Sequence, residues 1–124
     1  MREILFRGKR RNYNEWVYGN YCGAEYSVDR GLEHLIIPIP RNSSSAMVIP
    51  ETVGQCTGLT DKNGKKIFEG DIVALGTIRT HEVKYNNGSF YMDGTAIPIR
   101  HIYKFEVIGN IHDNPELLKG GAGK

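Results

Sequence analysis

At 124 residues the chain is long enough for one compact domain and too short for two well-cored ones. With 40% hydrophobic and 24% charged residues it is composed to fold, and its 15 glycines favour short strands and frequent reversals over long helices. A formal net charge of +2 provides little global attraction to nucleic acid or membranes, and no apolar run approaches the ~18 residues of a membrane span.

The start, MREILFRGKRR, lacks the apolar run of a secretion signal, so a reducing cytoplasm is expected. Cys22 and Cys56 then read as thiols, although a disulfide between them stays open at the level of sequence. Residues 2–7 alternate weakly and predict a first strand, with Ile4 and Phe6 on one face. Arg2, Arg7, Lys9, Arg10 and Arg11 crowd this end of the chain, opposed only by Glu3. Such a run either keeps a strand edge from pairing with other chains or contacts phosphate; the absence of an aromatic stacking pattern favours the first. Residues 12–14 look like a turn, and 15–21 make a second strand rich in aromatics, so the two strands form a hairpin. Trp16 and Tyr18 share one face of it and Tyr21 the other; these rings serve either a core or a contact surface.

Residues 22–45 are the least legible. The stretch 34–40 is apolar and extended, and Pro38 and Pro40 place it at an edge or a sheet end because neither can donate to a ladder. Residues 41–45 read as a surface loop and 47–49 as a short strand. The stretch 50–73 organises the rest. Asn63 and Gly64 can supply the two left-handed residues of a tight type I′ turn. Gly70 and Asp71 break the chain again, with Asp71 expected to accept backbone N–H bonds in that turn.

Strands are predicted over 72–75, 81–85 and 89–92, with Val83 and Tyr85 on one face and Asn86-Asn87-Gly88 as a tight turn. Another covers 103–107, with Tyr103, Phe105 and Val107 inward, and Gly109 suggests a bulge. Residues 113–118 read as a short helical turn capped by Asp113 or Asn114, with Pro115 at its first position, and 119–124 as a flexible tail. The fold expected is all-β: a small, strongly bent barrel or roll over about 50–111, an N-terminal β-hairpin extension over 1–49 and a short C-terminal helical turn, all within one domain spanning 1–118.

Several of these segments together resemble a known family. Phe6-Arg7-Gly8-Lys9, Glu15-Trp16-Val17-Tyr18-Gly19, Pro50-Glu51-Thr52-Val53-Gly54-Gln55, Thr57-Gly58-Leu59, Asp61-Lys62-Asn63-Gly64-Lys65 and Ile67-Phe68-Glu69-Gly70-Asp71-Ile72-Val73 are similar to the YopX-like proteins. So are residues 106–111 and 114–118. The resemblance implies a mostly β product of bacteriophages and prophages of Gram-positive bacteria, of unknown biochemical function, and supplies no catalytic residues. Phe68, Cys56 and Asn14 depart from the residues common in that pattern, at positions that affect packing and turns.

The chemistry-bearing residues form no reaction motif. His34, His81, His101 and His112 have no partner at metal-ligand spacing and read as surface histidines. The segment Gly54-Gln55-Cys56-Thr57-Gly58 lacks the Gly-Lys-Ser/Thr ending of a phosphate loop and reads as a bend. Glu51, Glu69 and Asp71 are the carboxylates of the central stretch, and Glu69 with Asp71 would share a strand face. The function expected is a non-enzymatic binding module in a bacterial host cytoplasm, with no cofactor or metal. Its contact patch is Arg7, Lys9, Arg10, Arg11, Trp16 and Tyr18. A host or phage protein is the favoured partner, ahead of nucleic acid, and no membrane is involved. The competing readings are self-assembly through strand edges and an enzyme whose site is built across strands or subunits.

Overall fold

The computed structural model describes residues 5–11, 14–27, 31–38, 45–76, 79–86, 88–92 and 99–121. The chain divides into two units, 1–55 and 56–124. The fold is all-β with antiparallel strands and one short helix among the described residues.

In the first unit, β1 (Phe6–Lys9) and β2 (Trp16–Ser27) form the hairpin predicted from the aromatic alternation. Asn14 takes the turn with φ of +58°, a left-handed conformation that Asn tolerates better than most residues. β1 starts later than predicted, and Ile4 lies outside the described residues. β2 pairs next with β3 (Gly31–Pro38), and β3 with the two-residue β4 (Ala46–Met47). Pro38 is the last residue of β3, opposite Gly19, so its missing N–H falls at a strand end. Val48 then bridges Arg10, which brings the chain after β4 back to β1. The inner side of this curl is packed tightly: a Cβ added to Gly8 would lie 3.0 Å from Val48 Cβ. Ile36, Ala46 and Val48 are buried there. A 3₁₀ turn at Pro50–Thr52 follows, tied to β1 where Lys9 N–H donates to Thr52 Oγ1 at 2.9 Å. β5 (Gly54–Thr60) starts in this unit and pairs with β1 through Phe6 and Arg7.

In the second unit β5 continues and pairs with β6 (Lys66–Phe68). A second sheet runs β10 (Glu106–Asn110), β7 (Asp71–Leu75), β8 (Arg79–Asn86), β9 (Ser89–Met92) in that order. Its core is Ile67, Val73, Val83, Met92, Ile102, Phe105 and Val107, with Leu59 and Leu75 packed against it. The bulge predicted near Gly109 is present as a register shift between Val107 and Gly109.

Several expectations are corrected. Among the described residues no ladder closes either sheet into a barrel, and the return of Val48 to Arg10 is a single bridge. Tyr103 is not an inward strand residue: it lies in a 3₁₀ turn, Ile99–Lys104, and is 59% exposed. That turn buries Ile102, and Phe105, just after it and bonded through its N–H to the Ile102 carbonyl, is buried as the alternation predicted. Tyr85 shares Val83's face but lies exposed near the hairpin end, against Phe90 with ring centroids 4.9 Å apart. Asn63 does not have a positive φ, so the turn there is not type I′. Gly64 N–H donates to the Asp61 carbonyl and Asp61 N–H to the Lys65 carbonyl, closing a three-residue loop that ends in left-handed Gly64, φ +84°. The α-helix α1 (Glu116–Gly121) takes in residues 119–121, which the sequence reading gave to the tail; residues 122–124 lie outside the described residues. Asn114 does not cap this helix through its side chain; its Oδ1 instead accepts from Asn110 N–H at 3.3 Å.

Candidate functional site

The outer face of the β1–β2 hairpin carries the cation–aromatic group singled out in the sequence. In the antiparallel register Arg7 lies opposite Tyr18 and Lys9 opposite Trp16, and directly opposed residues share a face. The Arg7 guanidinium carbon sits 4.7 Å from the Trp16 ring centroid, and Lys9 Nζ sits 5.6 Å from it. Both distances are within the range in which the ring quadrupole attracts a cation. Arg7 is only 6% exposed, so it is not the solvent-facing cation expected; its guanidinium packs against the indole. Trp16 and Lys9 are half-buried, and Tyr18 is 43% exposed. Arg10 Nε lies 3.8 Å from Glu15 Oε1, and the exposed Arg11 reaches Met47 Sδ with Nη1 at 3.8 Å. The structure thus brings five of the six predicted contact residues to the surface of one hairpin and sinks the sixth.

The opposite face of the same hairpin holds a second aromatic group. Phe6 and Tyr21 rings are 5.6 Å apart. Tyr21 stacks on His34 with centroids 5.8 Å apart, and its hydroxyl and His34 Nδ1 share a hydrogen bond. Sequence reading placed Tyr21 on this face but had no signal for His34, which comes from the illegible stretch.

The carboxylates of the central stretch point into the backbone. Asp71 is buried, and its Oδ2 accepts from Phe68 N–H at 2.7 Å across the turn made by left-handed Gly70, φ +94°. Glu69 is half-buried and Glu51 exposed. Asp61, which the sequence reading did not single out, accepts three backbone N–H groups. Its Oδ1 accepts from Asn63 N–H and Lys65 N–H, each at 2.9 Å, and its Oδ2 accepts from Val107 N–H at 2.9 Å. Burial by itself would raise this carboxyl's pKa. The N–H groups of Val107, Lys65 and Asn63, with the charge of Lys65, outweigh it and hold the pKa below its ordinary value. An Asp two residues before Asn-Gly is the signal that could have found it, because such an Asp can bond its own turn.

The surface reading of the histidines is corrected at His81. It is 6% exposed and meets Phe105 edge-on with centroids 6.1 Å apart. His34 and His112 are half-buried, and nothing is described for the side chain of His101. Cys22 is exposed, Cys56 is buried, and no disulfide joins them. Among the described residues no three His, Cys, Asp or Glu side chains are placed to hold a metal ion. No described helix is long and apolar enough to cross a membrane.

A family model described as YopX protein matches residues 5–119. Protein EF1440 from Enterococcus faecalis, known from a crystal structure, is similar in fold with a TM-score of 0.62. It is 27% identical in sequence, and the match covers 95% of this chain and 99% of that one. No curated protein matches the chain significantly.

Proposed function

The chain belongs to the YopX protein family, and on that premise we propose that it is a non-catalytic binding module whose contact surface is the outer face of the β1–β2 hairpin. One observation carries the reading: Arg7 at 4.7 Å and Lys9 at 5.6 Å hold Trp16 in place beside an exposed Tyr18. Preorganised aromatic rings flanked by cations are the groups that dominate binding energy at interfaces, because little side-chain freedom remains to be lost. The carboxylates support the same reading from the other side. Asp61 and Asp71 are committed to backbone N–H groups, an architectural use of residues that acid–base chemistry would require accessible. The setting proposed is a phage or prophage programme in a bacterial cytoplasm.

Capture from phage-infected or prophage-induced host cells tests this. Material recovered on the immobilised wild-type chain should be lost with Trp16→Ala or Tyr18→Ala, while the thermal melt of Tyr18→Ala stays within about 0.5 kcal/mol of wild type, as suits an exposed position. Equal recovery by wild type and variants, or none by either, would refute the proposal.

A further inference from the structure

We propose that the partner of this face is single-stranded nucleic acid, its bases stacking on Trp16 and Tyr18 and its phosphates meeting Lys9 and Arg11. The inference rests on the contact-surface reading above and names the chemistry of its partner. Trp16 and Tyr18 are two residues apart on one strand, so they repeat along the face at about 6.6 Å. That separation suits neighbouring bases of an extended, unpaired strand. Aromatic rings can stack with any base, which is how sequence-tolerant single-strand binders gain affinity. The cations lie along the adjacent strand: Lys9 closes β1 and the exposed Arg11 lies two residues on, whereas Arg10, paired with Val48, faces the other side. Arg10 is held by Glu15, with Nε 3.8 Å from Oε1.

Two other partner classes fit less well. A duplex keeps its bases stacked and paired, so it could use the cations but not the rings. An acidic peptide would want open guanidinium forks. Here Arg7 is sunk against the indole and Arg10 already faces a carboxylate.

Trp16 is the only tryptophan in the chain, so its intrinsic emission reports on this face without a label. Titration of the full chain with an oligothymidine of about twelve nucleotides should quench that emission saturably. With two phosphates neutralised on a single strand, affinity should fall about sevenfold between about 50 and 200 mM salt. Tyr18→Ala should weaken binding at least about fivefold by removing one stacked base. Lys9→Gln with Arg11→Gln should flatten the salt dependence. No saturable quenching at about 50 mM salt, or equal binding of a duplex or of polyglutamate, would overturn the nucleic-acid assignment. If cell-derived material still depended on Trp16 in the capture experiment, the contact-surface reading would survive that failure. If it did not, both would fall.

Discussion

Asp61→Ala is expected to lower folding stability by about 3 kcal/mol, read as a reduced urea midpoint with an unchanged slope. The side chain is 4% exposed and accepts three backbone N–H groups. Two of them belong to its own loop, and water can reach those once the carboxylate is gone. The third, from Val107, is buried and lies in β10, far away in sequence. Leaving it without an acceptor carries most of the penalty. Lys62 N–H also donates to the Phe105 carbonyl, so the loop and the start of β10 are held at two points. Asp61→Asn should cost about 2 kcal/mol, because one oxygen can still serve the loop while the amide N–H₂ faces the N–H of Val107. The pH dependence follows from the direction of the pKa shift. In the folded chain Asp61 has its pKa lowered, against about 3.9 when unfolded. Its contribution is therefore fully present above about pH 4 and is lost as the pH falls through the folded value. The gap between wild type and Asp61→Asn should narrow in acid. A gap that stays constant from pH 7 to about pH 2 would contradict the charge-assisted clasp.

Gly19→Ala is expected to cost about 3 kcal/mol or more, although adding a methyl in a strand ordinarily helps. The new Cβ would lie 1.9 Å from the Ile37 carbonyl oxygen, 2.7 Å from its carbon and 2.9 Å from Pro38 Cα. All three are backbone atoms of β3, so no rotamer change relieves them. β2 and β3 must move apart at the pair Gly19–Pro38, where β2 also pairs with Phe6 of β1. Two comparisons isolate the cause. A Cβ at Gly109 would meet Asn114 Oδ1 at 2.5 Å and Leu117 Cδ1 at 3.0 Å. These are side-chain ends that can rotate, so Gly109→Ala should cost less than Gly19→Ala. A Cβ at Gly64 meets nothing within 4 Å, and Gly64→Ala should cost only the left-handed strain, about 1 kcal/mol. Equal losses at the three positions would show that close backbone approach does not limit Gly19.

Much of this architecture could be read before the fold was in hand, because it rests on local rules. The Trp16–Tyr18 alternation set the outer face of the hairpin, and Gly70 with Asp71 marked a turn whose Asp does accept a backbone N–H. What could not be read depends on partners distant in sequence. Nothing local says that Arg7 will be buried against Trp16, or that His81 will meet Phe105 in a core. Asp61 looks like a loop residue until β10 arrives beside it. Tyr103 misled because aromatic alternation over 103–107 suits a strand, yet the chain there runs in a 3₁₀ turn that buries Ile102 and leaves Tyr103 exposed. The all-β class was legible because strand count and turn spacing are local; whether the expected barrel or roll closes is not local, and among the described residues no ladder closes either sheet.

On the proposed reading, the outer β1–β2 face meets the partner while the carboxylates of the central turn hold the chain together. Benzophenone photocrosslinking in induced host cells tests it most directly, with the reactive side chain placed at Tyr18 in one variant and at Glu69, beside Asp71, in another. Crosslinked adducts are expected from position 18 and none from position 69. Adducts from position 69 alone would contradict it.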